Sequence, residues 1–455
     1  MPHASNHLER FLTAAVLVLL VWLPLPLGSN RDWSMGLLVA LIGLLSGLWG
    51  FAMWRGRLTA NPVPKPAWPM FGLLLGAQAW VAVQWLGGLT ADVGATFQYL
   101  LLGIAYSLLF LLLVSLFQTR QRLILLLSVL IISGTFQAFY GAFMTLSGSE
   151  SLLASMGFDH SGVTSGTYVN RNHLAGYLEI TLACGIGLLL ALRDGQPFRW
   201  ISLLELLMGP KARLRLALVV MVIALVMTRS RTGNIAFFAS LMAVGAIFVL
   251  LNREHRLRNS LILASIILVD MLVISQYFGF ERLKDRVVNT RLDDVVVQGE
   301  VVQQVGEIRD EVFAYAMPLA AEKPLLGQGA GSFEAVFPKY PGEDVRNHFD
   351  HAHNDYIQFF IEYGLIGSLP LAVFVLLALW RALQALWRRE SYFRGGVGFG
   401  AAMGIIAIGI HSATDFNLQI PANAATFVTL CAIALLANQH RNPRRQARTS
   451  VGIKD

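Results

Sequence analysis

Charge is what this chain has least of. Only 14% of its 455 side chains are Asp, Glu, Lys or Arg, against roughly a quarter in soluble proteins. Hydrophobic residues make up 55% and mean hydropathy is +0.57, which excludes a water-soluble globular enzyme. Cysteine is almost missing. Cys184 and Cys431 both fall inside apolar runs, so inert interior thiols are expected rather than a disulfide framework. No internal repeat is visible. No small-residue cleavage site follows the first apolar run either, which meets Pro24, Pro26 and Arg31 instead and reads as a retained anchor, not a signal peptide. The net charge of +7 does not point to nucleic acid, because basic and aromatic residues are not interleaved on a soluble face.

What the chain does have is a succession of apolar runs, each long enough to cross ~30 Å of hydrocarbon as a helix rising 1.5 Å per residue. They lie near 11–28, 33–54, 67–86, 97–117, 123–146, 172–192, 214–228, 232–251, 259–279, 354–380, 396–413 and 421–438. The fold expected is an all-α polytopic membrane protein of about twelve spans. One large external lobe is expected between the ninth and tenth. That divides the chain into residues 1–279 (spans one to nine), 280–353 (the lobe) and 354–455 (spans ten to twelve and a tail). Lys and Arg then orient it, since cytoplasmic loops near span ends retain positive charge. With both termini inside, 23 of the 35 basic residues are cytoplasmic, four (Arg31, Arg171, Arg229, Arg231) lie in short outer loops, and eight lie in the lobe.

The lobe carries 13 acidic residues against its eight basic ones and reads as solvated. Ile308, Val312, Phe313 and Ala316 recur at helical spacing, which predicts an amphipathic helix against the mouth of the bundle. The run Gly327-Gln328-Gly329-Ala330-Gly331-Ser332 after Pro324 predicts a tight turn, with a phosphate cradle as the alternative. Two guanidinium groups occupy the minimal outer turn Thr228-Arg229-Ser230-Arg231-Thr232. Arginine there runs against the positive-inside bias, so it either snorkels to lipid phosphates or holds a diphosphate by bidentate hydrogen bonds. The helix that opens at Thr232 points its first amides the same way, which favours an anion.

The string Asp350-His351-Ala352-His353-Asn354-Asp355-Tyr356-Ile357-Gln358, followed by Glu362, Gly364 and Gly367, marks the entry to the tenth span. A general base is the favoured reading of His353. A zinc site from His348, His351 and His353 with Asp350 and Asp355, and a plain helix cap, stay open beside it. His353 and the Gly364/Gly367 pair are expected on nearly one helix face, with a neighbouring helix packed closely beneath. Asp415 or Asp355 is expected to orient the imidazole. Glu362 is expected on the opposite face. Glu179 and Asp270, acids deep in apolar runs, support a transporter or flippase as the competing class.

His353-Asn354 with Gly364-Leu365-Ile366-Gly367, Pro324-Leu325-Leu326-Gly327-Gln328-Gly329 and Arg229-Ser230-Arg231 resemble the O-antigen ligase and polymerase superfamily of bacterial polytopic glycosyltransferases. Gly166-Thr167-Tyr168-Val169-Asn170-Arg171-Asn172 and His411-Ser412-Ala413-Thr414-Asp415-Phe416 are similar to it as well. The resemblance covers roughly residues 160–440. It implies inverting, metal-independent transfer of a glycan from undecaprenyl diphosphate to a hydroxyl acceptor at the periplasmic face of the bacterial inner membrane, with no cofactor. The acceptor is a growing glycan, lipid A core or a protein side chain, the last making the enzyme a protein O-oligosaccharyltransferase. Carried onto this sequence, the resemblance makes His353 the base. It makes Arg231 and Arg309 the diphosphate ligands, with Arg229, Arg171, Asn354, His411 and Asp415 as further substrate-site candidates. Membrane lipids are the other expected partners.

Overall fold

The computed structural model describes residues 2–56, 58, 63–148, 162–192, 210–251, 260, 264, 295–297, 300–302, 307–340, 348–387 and 391–439. Among them the fold is carried by helices α1 (Pro2–Trp22), α2 (Asp32–Trp54), α3 (Ala67–Leu86), α4 (Val93–Leu116), α5 (Arg120–Ser147), α6 (Arg171–Ala191), α7 (Pro210–Met227), α8 (Arg231–Leu251), α9 (Glu307–Glu322), α10 (Asp355–Trp387), α11 (Tyr392–His411) and α12 (Pro421–Ala437). The helix borders have local chemical causes. Asp92, Thr119, Asn170 and Ser391 each accept a first-turn backbone N–H at the start of α4, α5, α6 and α11. Pro421 opens α12, where its missing N–H is not needed, and Gly148 closes α5 in the left-handed conformation. The expected ninth span, 259–279, lies outside the described residues except for positions 260 and 264, and Asp270 is among those not described. A three-residue antiparallel hairpin, Val295–Val297 with Glu300–Val302, adds a small β element to the all-α expectation.

Among the described residues eight helices, α2, α3, α4, α5, α6, α8, α10 and α11, are long and apolar enough to cross a membrane. The bundle is built inside out relative to a soluble protein. Leu44, Ile132, Phe139, Met242, Leu376 and Trp380 face outward, a surface suited to hydrocarbon and hazardous in water. Polar side chains collect inside. The centre is α6, whose residues from Asn172 to Ala191 are all buried. α11 lies directly on it, at a spacing only small residues allow: a Cβ on Gly187 would come within 2.8 Å of the Gly400 Cα.

α10 is two helices joined at a break. Gly364 has φ 60° and ψ −175°, a conformation open only to glycine. Into the break runs the segment 324–329: Gln328 N donates to Ile361 O, Gly329 N to Glu362 O, Leu365 N to Pro324 O and Ile366 N to Leu325 O. The backbone groups that the helix gives up at Gly364 are thus bonded by the loop. The loop is held in turn by Gln84, which donates to Leu326 O and Glu362 O, and by Thr96, which donates to Ala330 O. Two expectations change. His353 lies outside the helix and the helix breaks at Gly364, so His353 and Gly364/Gly367 share no continuous face; a loop carbonyl packs on Gly364, while the expected close helix contact is made at Gly367, by Trp80 of α3. The glycine run is no phosphate cradle, because its amides at 327, 328 and 329 are committed to Lys323, Ile361 and Glu362 carbonyls. On α9 the buried stripe is Val312, Ala316, Leu319 and Ala320; Val312 and Ala316 are on the expected stripe, and Phe313, expected with them, is exposed.

Candidate active site

Several segments meet at one end of the bundle, and hydrogen bonds tie them together. The loop 162–170 is fastened to α7 by Thr164 N to Met227 O. It is fastened to the end of α1 by Thr167 Oγ1 to Pro24 O, and to α5 by Gln137 Oε1. The turn after α11 meets the start of α8 through Thr414 Oγ1 and Thr232 Oγ1, 2.8 Å apart. The same turn is clamped to the start of α10. Asp355 N donates to Ser412 O and Asp415 O, and Asp355 Oδ2 accepts from Ser412 Oγ and Leu418 N. Asn354 Oδ1 caps α10 by accepting from Ile357 N, and its Nδ2 donates to Ala413 O.

This clamp explains the conformation of His353. With residues 354 and 355 fixed to the 412–418 turn, the chain enters at φ 49°, left-handed for a residue with a Cβ. Arg229, in the turn before α8, is left-handed too, at φ 53°. Such strain costs of order 1–3 kcal/mol and persists where surrounding structure imposes it, often at functional sites. The His353 ring stands edge-on to Phe349 at 6.0 Å and to Phe416 at 4.9 Å between ring centroids, and is partly exposed.

Phe416 is the hub of the site. His351 stacks on it at 4.3 Å, and His173 meets it edge-on at 4.6 Å. His173 Nε2 lies 3.6 Å from Asp415 Oδ1. All three imidazoles pack on the one phenyl ring, and among the described residues no group of three His, Cys, Asp or Glu is placed to hold a metal ion. His351 belongs to a relay: Ala352 N donates to Gln358 Oε1, and Gln358 Nε2 meets both His351 Nδ1 at 2.9 Å and Glu362 Oε1 at 3.0 Å. Burial pushes the His351 pKa below the ordinary imidazole range, outweighing the opposite pull of Asp350.

Of the residues singled out in the sequence, His353, Arg171, Arg229, Arg231, Asn354 and Asp415 stand on these interlinked segments. Arg171, Arg229 and Arg231 are exposed and open toward the same end. Arg309 lies on α9, whose first turn is described only as backbone. Asn354 is buried, with both polar atoms bonded to main chain. His411 is placed differently from a substrate contact: it is fully buried and holds Glu179 Oε1 with Nδ1 at 2.7 Å. Glu179, a buried acid that at such depth is expected to be functional or paired, has His411 as its partner, two turns below the start of α6. His173, Phe416 and Gln358 carried no expected role. The signal for His173 was available, because Asn170-Arg171-Asn172-His173 is a polar quartet opening an otherwise apolar helix.

The site segments 228–232 and 351–364 fall within residues 216–372, which match the family described as O-antigen ligase. No curated protein matches the chain. The match supports the superfamily that the sequence motifs resemble, and with it a glycosyltransferase-type activity in a multi-pass membrane protein.

Proposed function

We propose, from the O-antigen ligase domain this chain carries, that it moves a glycan from undecaprenyl diphosphate to a hydroxyl acceptor at the periplasmic face of the inner membrane, with inversion at the anomeric carbon and without a metal. The observation that carries this reading is the meeting of a strained, partly exposed imidazole with three exposed arginines on segments hydrogen-bonded to one another at one end of the bundle.

The chemistry follows from where charge moves. The acceptor oxygen attacks the anomeric carbon as His353 takes its proton, and the electron pair of the breaking sugar–oxygen bond passes to the lipid diphosphate. Inversion follows from a single displacement. The leaving group is already acidic, so guanidinium groups suffice to stabilise its added negative charge, and Arg231, Arg229, Arg171 and Arg309 are assigned that role. A neutral imidazole with a pKa near ~6.5 suits the proton transfer, typically worth about 10²- to 10⁴-fold in rate. The apolar outer faces leave the polyprenyl chain in lipid with its phosphates at the site. The acceptor is a growing glycan, lipid A core or a protein hydroxyl.

The test is reconstitution of the purified protein in vesicles with undecaprenyl-diphosphate glycan and each acceptor, with and without chelator. Glycosylated acceptor and free undecaprenyl diphosphate, undiminished by chelator, are expected. Movement of the lipid-linked glycan across the bilayer without transfer would replace this reading by a flippase.

A further inference from the structure

The amide of Gln358 fixes where the proton of His351 sits. Its Oε1 faces the N–H of Ala352 at 3.1 Å, and only an acceptor fits there. Its Nε2 is therefore the donor toward both Glu362 Oε1 and His351 Nδ1, one hydrogen to each. A nitrogen that accepts a hydrogen bond carries no proton, so His351 Nδ1 is bare and the ring's single proton is on Nε2. No hydrogen bond to this Nε2–H is present among the described residues, and the ring is partly exposed. His351 is thus held as a neutral donor and has no lone pair to offer as a base. His353 packs against the same Phe416 ring, so both imidazoles are anchored to one side chain. Resting on the glycosyl-transfer reading, we propose that His351 binds the acceptor, giving its Nε2–H to a neutral hydroxyl or ring oxygen of the acceptor next to the hydroxyl that His353 deprotonates. Gln358 and Glu362 are the positioning residues that hold this tautomer.

The charge balance around the ring favours a neutral oxygen over the diphosphate. Asp350 and Glu334 draw a second proton toward His351 while burial and His173 oppose it, and burial prevails. The arginines that suit an anion stand instead on the first residues of α6 and α8, on the turn before α8 and on α9. Base and donor on one ring, with cations on other elements, divide the site into an acceptor side and a donor-lipid side.

Two measurements on the full-length protein in nanodiscs test this. The first is the ¹⁵N spectrum of histidine-labelled protein at neutral pH, with the His351 signals assigned by their loss in His351→Gln or, should that fold poorly, His351→Asn. A protonated Nε2 and a bare Nδ1 are expected, and Gln358→Glu should move a proton onto Nδ1. A protonated Nδ1 in the unmodified protein would overturn the assignment. The second is transfer kinetics for His351→Leu. The acceptor KM should rise about three- to tenfold, the worth of one neutral hydrogen bond, while the lipid-donor KM stays put and His351→Gln, which retains an amide N–H near the Nε2 position, shows a smaller rise. A raised donor KM, or an unmoved acceptor KM, would overturn it. Complete lack of transfer by the unmodified protein would contradict the glycosyltransferase reading itself, whereas the tautomer is read without turnover and decides the donor assignment separately.

Discussion

At the scale of single residues, the decisive feature is an imidazole in a conformation its Cβ disfavours. His353→Gly removes both the strain and the proposed base. The variant should melt at or slightly above the parent temperature, since up to ~1–3 kcal/mol of strain is relieved against the flexibility gained in the unfolded chain. Its transfer rate should nonetheless fall by about 10²- to 10⁴-fold. Thermal melting in detergent together with a transfer assay checks both, and a destabilised variant would mean that the left-handed turn is relaxed. Sequence alone pointed to His353, because a histidine at a water–membrane boundary after a large polar lobe is conspicuous. It could not show that His351, two residues earlier, is held as a donor. That depends on Gln358 and Glu362, one turn apart on a helix whose start is fixed by the distant 412–418 turn. Phe416 was equally hidden, since nothing in an aromatic residue after an aspartate announces three imidazoles packed around it.

Among elements, α10 is the one that is broken, at Gly364. A methyl group on Gly364 would lie 2.3 Å from Leu325 O in a backbone with φ 60°. Gly364→Ala should therefore destabilise the protein by roughly 2–4 kcal/mol through strain and overpacking together, seen as a lower melting temperature and poorer recovery in detergent. Hydropathy cannot reveal such a break. Residues on both sides of Gly364 are apolar, and periodicity runs on through it, so the span was legible as an element and the interruption was not. Starts of helices were read more closely, as at Ala67, Arg171 and Pro421, where polar or proline-bearing segments give way abruptly to apolar ones. On α9, Val312 and Ala316 were read correctly and Phe313 was not, because Val312, Phe313 and Ala316 fit more than one helical stripe and only the packing of Val312 and Ala316 chooses between them.

Across the whole molecule, the central helices α6 and α11 are joined by a close glycine seam and by the buried Glu179–His411 pair. Removing one partner leaves an uncompensated polar or charged group in the core, so Glu179→Ala or His411→Ala should each cost about 3–5 kcal/mol, and Glu179→Leu with His411→Phe together should cost less than the sum. Melting of the two single variants and the double variant gives the coupling. Equal additivity would mean that the two side chains act independently. Orientation is a second property of the whole: if the site end is periplasmic, as the arginine and lysine distribution implies, a cysteine replacing exposed Thr414 should react with a membrane-impermeant thiol reagent added outside spheroplasts. Labelling only after lysis would reverse the topology. The most direct test of the central claim separates holding the lipid donor from using it, by measuring donor binding and single-turnover transfer side by side for the parent, His353→Gly and Arg231→Ala. The account predicts that His353→Gly still binds undecaprenyl-diphosphate glycan but does not transfer it, and that Arg231→Ala binds it weakly. Transfer by His353→Gly at the parent rate would contradict it.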